Sequence, residues 1–180
     1  DLGFTTIVSQ FSAHEFAYLN FENNGRIIGA EINKERLSSL FKFVMKWSFS
    51  VSIIAFPIII IIGFAIFSGR DDNVAWQIPW IIYVLVSGFN FNIGVCLSFF
   101  EGCNQIALIQ RNKVISSIVT TISTLLFLFL GLELYTITIA AFLGLIVNIC
   151  IFLLSFKESI IDLLSLSKSS FYNWKNDFFN

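Results

Sequence analysis

Charge is scarce in this sequence: Asp, Glu, Lys and Arg make up 13% of its 180 residues, while 56% are hydrophobic. Soluble globular domains carry about 25% charged residues, so a mean hydropathy of +0.81 excludes an ordinary soluble enzyme and puts the chain in lipid. The net charge of −1 says little about partners, and no nucleic-acid partner is expected. Cysteine is sparse too. Cys96, Cys103 and Cys150 fall in or beside apolar runs, without the close pairing and His partners of a zinc site, and read as small hydrophobes. The single histidine, His14, has no nucleophile or metal partner in view and reads as an interfacial residue beside Glu15. There is no phosphate-binding Gly-rich loop, no metal cluster and no carboxylate pair of the kind glycosidic chemistry favours. No cofactor, metal or enzymatic activity is expected; transport or scaffolding is what remains.

What the chain has is long uncharged runs. Trp47 to Phe67 is free of charge over 21 positions, enough to cross a hydrocarbon core of about 30 Å at about 1.5 Å per residue. Residues 76–100 are also uncharged but carry Asn90 and Asn92, and the runs 114–132 and 134–156 are separated only by Glu133 and its neighbours. These make four complete spans. Residues 1–16, apolar with small side chains, read as the end of a preceding span. Of the two prolines, Pro57 is expected to kink the first full span and Pro79 to sit harmlessly in the first turn of the second. The chain opens at Asp1 without Met or a signal-like lead and closes in FYNWKNDFFN, so continuations on both sides are expected.

Orientation follows from the basic residues, which are retained in short cytoplasmic loops. With the loop before Trp47 inside, that side holds Arg26, Lys34, Arg36, Lys42, Lys46, Arg111, Lys113, Lys157, Lys168 and Lys175, and the other side only Arg70. The split alternates loop by loop, so it checks the span list as well as the orientation; both ends face the cytoplasm. The external loops are too short for a folded domain. Trp47 anchors one boundary, and Trp76 and Trp80 the other. Two inner segments are amphipathic. In residues 31–46, Leu37, Leu40, Phe41 and Val44 share a helical face, which predicts a helix at the headgroup level before the chain turns into the bilayer. Residues 157–180 read as a second interfacial elbow, with an incomplete further span as the alternative.

Polar residues inside spans are costly and usually face protein or water. At 100° per residue, Tyr83, Ser87, Asn90, Gly94, Ser98, Glu101 and Gln105 fall within about 80° of one another and form a stripe. The opposite side carries Val84, Phe91, Val95 and Phe99, read as lipid-compatible, with Asn92 as an exception. Two readings of the stripe stay open: a helix-packing face where small and polar groups meet neighbours, or the wall of a hydrated cavity able to bind hydroxyl-rich sugars. Glu101, about 37 Å along an ideal helix from Trp76, is expected at the cytoplasmic interface. Ser116, Thr120, Ser123 and Thr124, with Ala141, Gly144, Asn148 and Ser155, read as small-residue packing seams.

The strings DLGFTTIVSQFSAHEFAYLNFE, FKFVMKW and LSFFEGCNQIALIQRNKVISS together resemble Wzx-type O-antigen and polysaccharide flippases, within the superfamily of multidrug, oligosaccharidyl-lipid and polysaccharide exporters. DLGF with QFSAHEF is the most specific part. The resemblance implies an all-α polytopic transmembrane helix bundle of twelve or more helices in two pseudo-symmetric halves. Such a bundle moves undecaprenyl-diphosphate-linked oligosaccharide across a bacterial inner membrane by alternating access. This chain would be most of the amino-terminal half, with the lipid-linked oligosaccharide, membrane lipids and other polysaccharide-assembly membrane proteins as partners. Gln10, His14, Asn90, Glu101 and Gln105 are then the expected cavity residues. The superfamily often places basic residues in its cavity and this chain has none inside a span, so Arg26 and Arg111 at the cytoplasmic mouth, or the other half, would meet the diphosphate.

Two rivals are weighed against this. An ion-coupled multidrug exporter would be expected to hold acidic residues deep in its spans, where this sequence has none. A membrane-embedded polysaccharide polymerase or transferase would need catalytic loops larger than the short external ones here.

Overall fold

In the computed structural model, residues 3–22, 25–69, 75–165 and 174 are described. Five helices and one small hairpin follow in the order α1 (Phe4–Phe16), β1 (Leu19–Phe21), β2 (Ile27–Gly29), α2 (Glu31–Phe67), α3 (Gln77–Gly102), α4 (Ile106–Phe129) and α5 (Tyr135–Ser165). Four of these, α2 to α5, are long and apolar enough to cross a membrane. The chain is therefore a membrane-embedded helical protein. Large side chains of the spans point outward, as a lipid-facing surface requires: Ile53, Ile54, Ile61, Ile62 and Ile66 on α2, and Ile118, Ile122, Leu125 and Leu126 on α4, are all exposed.

The helices are longer than the uncharged runs. The amphipathic segment 31–46 and the span 47–67 form one continuous 37-residue helix, so the expected turn between them falls inside α2, which also continues past Pro57. Likewise α5 runs unbroken through the expected boundary at 156/157 to Ser165; of the expected elbow beyond it, only Trp174 lies within the described residues. Helices of 37 and 31 residues measure about 55 and 46 Å, well beyond the hydrocarbon thickness of about 30 Å. Their surplus lies at one end of the bundle, where they pack against the hairpin.

That hairpin end holds the core. Leu19 and Ile27 from the hairpin, Leu37, Leu40, Phe41 and Val44 from α2, and Leu163 from α5 are buried together. Deeper in, Phe41 meets Phe99 at 4.9 Å between ring centroids, and Phe100 stacks on Phe156 at 4.5 Å. The aromatic pairs contribute about 0.5–1.5 kcal/mol each beyond their burial. Within the span depth such contacts act by close packing, because lipid tails are as apolar as the side chains.

Polar links reinforce this end. The Ile27 amide donates to Asp162 Oδ2 at 3.2 Å, Ser159 donates to the Gly25 carbonyl at 2.6 Å, and Arg26 faces Glu158 at 4.0 Å. Two carbonyls near the end of α5 accept side-chain donors from α2: Ser38 donates to that of Leu163, and Lys42 to that of Leu164 at 3.1 Å. On α1, the buried carboxylate of Glu15 is matched by Arg36 of α2 at 2.8 Å.

Two turns connect the last three helices by the same device. After α3, Asn104 takes the left-handed conformation at φ 62, and the Gln105 amide reaches back to the Phe100 carbonyl at 3.2 Å. After α4, Gly131 does so at φ 75, with the Leu132 amide on the Phe127 carbonyl at 3.1 Å. Both are Schellman endings, where Gly or Asn is the residue that tolerates the left-handed position.

Candidate functional site

α3 is central: it packs against α1, α2 and α5 and touches α4 more lightly. Its buried faces show what each neighbour covers. Gly102 lies against Ser9, Ser12 and Ala13 of α1, where any Cβ would collide with them. Gly88 faces Phe56 of α2, and Phe100 faces Phe152 and Phe156 of α5.

Val84, Val95 and Phe99 are buried, and this corrects the expectation that their side of α3 faces lipid. Asn92, the exception to the sequence pattern, lies in the same interior, with its Oδ1 buried and unpartnered among the described residues. Its amide donates to Ser52 Oγ of α2 at 2.7 Å and to the Gly88 carbonyl at 2.9 Å.

The Tyr83 to Gly94 part of the polar stripe lies on the side of α3 that these neighbours leave open, whereas Ser98, like every residue from Val95 to Phe100, is buried. Tyr83 is 39% exposed, Ser87, Asn90 and Gly94 are half-buried, and a Cβ on Gly94 would meet nothing within 4 Å. Ser87 and Ser98 donate to carbonyls of their own helix, on Tyr83 and Gly94, which leaves their oxygens able only to accept. Asn90 differs from them: its amide makes no hydrogen bond among the described residues. It sits 13 residues into a 26-residue helix, about 20 Å from either end, at the middle of a membrane span.

At the hairpin end the stripe is crossed by α4. Glu101 in the last turn of α3 accepts from Gln110 Nε2 on one oxygen at 2.8 Å and from Lys113 Nζ on the other at 2.9 Å. Gln105, half-buried, is the N-cap position of α4, and its carbonyl accepts from the Ile109 amide. Asn90, Glu101 and Gln105 thus share one side of α3 and its turn.

The remaining expected residues stand apart. Gln10 and His14 share a face of α1, one turn apart, and both are exposed; His14 Nδ1 lies 3.4 Å from Glu15 Oε1. No hydrogen bond joins either residue to Asn90 or Gln105 among the described residues. Arg26 sits on the hairpin opposite Glu158 of α5, and Arg111 is exposed on α4, so the two arginines are on different elements. Sequence reasoning missed Gln110 and Lys113 as partners of Glu101. The signal was the short turn at Asn104, which folds the second turn of α4 back over the last turn of α3.

No described group of His, Cys, Asp and Glu is arranged to hold a metal ion. Cys103, just beyond α3, is fully buried, and burial pushes its thiol well above the ordinary range, which keeps it protonated. Thiolate chemistry is therefore suppressed at that position.

Compared with models of known protein families, with characterised proteins and with solved structures, the chain finds no match.

Proposed function

We propose that this chain forms part of a transporter of lipid-linked oligosaccharide. It would carry an undecaprenyl-diphosphate-linked repeat unit from the cytoplasmic to the outer leaflet of a bacterial inner membrane, with the polar side of α3 as one wall of the path. The observation that carries the reading is Asn90, an unbonded amide at mid-span beside the open surface at Gly94. An amide facing hydrocarbon without a partner costs several kcal/mol, so this side of α3 is built to meet water, a polar ligand or further protein.

Hydroxyl-rich sugars suit such a wall, because an amide both donates and accepts. The choice of substrate rests on the sequence resemblance. Against an ion-coupled drug exporter stands the placement of acidic groups: Glu101 is in the last turn of α3 and Glu133 in the turn before α5.

Disruption of the gene should stop surface polysaccharide while the lipid-linked repeat unit accumulates on the cytoplasmic leaflet. Normal surface polysaccharide in a strain with no second transporter of this kind would sink the proposal. Within the intact protein, Asn90→Leu should depress transport at unchanged protein level. Equal loss of both would turn the stripe into a packing face.

A further inference from the structure

We infer that the outer faces of α2 and α5 at the hairpin end hold an acidic phospholipid, its phosphate met by Lys42, Lys46 and Lys157. Placement of the chain in a membrane is the one premise, whatever the transported substrate. Among the described residues, Arg26, Arg36 and Lys113 each face a carboxylate, on Glu158, Glu15 and Glu101. Lys42, Lys46 and Lys157 face none there.

Depth sets these lysines at the level of lipid phosphates. Lys46 immediately precedes the uncharged run of α2 that opens at Trp47, and Lys157 immediately follows the run of α5 that closes at Phe156. Each stands at the hydrocarbon boundary of its helix, at the end where α2 and α5 share the hairpin core, and phosphates lie just outside that boundary. On α2 the spacing of Lys42, Lys46, Phe49 and Ile53 keeps to one helical face, and the last three are exposed. On α5 the exposed Lys157 has Leu154 on its span side and Ile161 and Leu164 on the other, all exposed as well.

Lys42 joins the two helices. Its Nζ donates to the Leu164 carbonyl at 3.1 Å, one turn from Lys46 on α2 and two turns from Lys157 on α5, and an ammonium has two further protons to give. The acidic groups at the end of α5 are turned to the hairpin, Asp162 to the Ile27 amide and Glu158 to Arg26. Positive charge without a protein counter-ion is thus set among apolar side chains. Water alone does not suit them: Ile161 and Leu164 are 50% and 53% exposed, about 6 and 10 Å beyond Lys157 along the helix. A phospholipid suits both parts, its phosphate taking the ammonium groups and its glycerol and chains covering the apolar ones. Basic patches beside membrane helices select acidic lipids in this way, because a zwitterionic headgroup brings its own cation to the lysines.

The test uses the full chain purified in detergent and exchanged into mixed micelles with equal amounts of phosphatidylglycerol and phosphatidylcholine of one chain length. Native mass spectrometry counts the lipid retained. The parent should prefer phosphatidylglycerol. Lys46→Gln and Lys157→Gln, both at exposed positions, should each lower that preference about fivefold, the loss of one basic contact to an acidic lipid surface, and Lys46→Arg and Lys157→Arg should keep it. Lys34→Gln, three turns before Lys46 on α2, should leave it unchanged. Lys42→Gln serves as the further variant if either of the other two does not accumulate. Equal retention of both lipids by the parent, an undiminished preference in Lys46→Gln with Lys157→Gln, or an equal fall in Lys34→Gln would overturn the site. Displacement of phosphatidylglycerol by inorganic phosphate at the same concentration would overturn it too, since the apolar side chains would then contribute nothing.

Discussion

Asn90 and Asn92 lie two positions apart on α3 and meet opposite surroundings. Asn92 is 6% exposed and ties α3 to Ser52 of α2, whereas Asn90 is half-buried and unbonded among the described residues. The sequence places them about 200° apart on a helix, but it cannot say which of the two sides meets protein. A polar residue inside a span signals a partner without naming it. Asn92→Leu should therefore loosen the α2–α3 contact, with a loss of about 1–2 kcal/mol, the upper part of what an interhelical hydrogen bond contributes in a membrane. Thermal unfolding in detergent would read this as a lowered midpoint, and Asn90→Leu, measured beside it, should stay near the parent. The reverse ranking would mean that the packing and open sides of α3 have been interchanged.

At the scale of elements, the small-residue positions of α4 and α5 show what spacing alone can foresee. Ser116, Thr120, Gly144 and Asn148 recur at helical intervals, and in the fold they form the contact between the two helices: Ser116 donates to the Gly144 carbonyl, and Thr120 occupies the space where a Cβ on residue 144 would stand. Gly144→Val should force the helices apart and cost about 1–3 kcal/mol by overpacking; an unchanged unfolding midpoint would contradict the close approach.

The hairpin shows the opposite case. Its two three-residue strands pair Leu19 with Gly29 and Phe21 with Ile27, and neither the long apolar runs nor the helical period of the sequence marks them. An Asn-Gly pair between apolar residues is a hairpin signal, but strands this short are stabilised by what they pack on. That partner, the end of α5, lies some 130 positions away, as the separation of 135 between Ile27 and Asp162 makes plain.

Across the whole molecule, the alternation of basic residues makes a topological prediction. Alkaline phosphatase fused after Gly69 or Gly131 should be active, and fused after Asn104 or Ser165 inactive, because the basic residues nearest the latter two sites, Arg111 and Lys113, and Lys157, Lys168 and Lys175, are of the kind retained in the cytoplasm. The inverse pattern would reverse the orientation without changing the fold. Apolar run length by itself determined that α2 to α5 are membrane spans, because hydrocarbon leaves a continuous helix as the solution for an isolated apolar segment. Helical periodicity by itself put Asn90, Gly94 and Glu101 on one line. Only the tertiary structure decided that Val95 and Phe99 are interior while Gly94 is open, that α2 and α5 continue past their apolar runs into a shared core with the hairpin, and that Lys113 closes on Glu101. In lipid, buried and exposed apolar residues have the same composition, so the sequence carries no contrast between them. The distinction arises when particular helices meet.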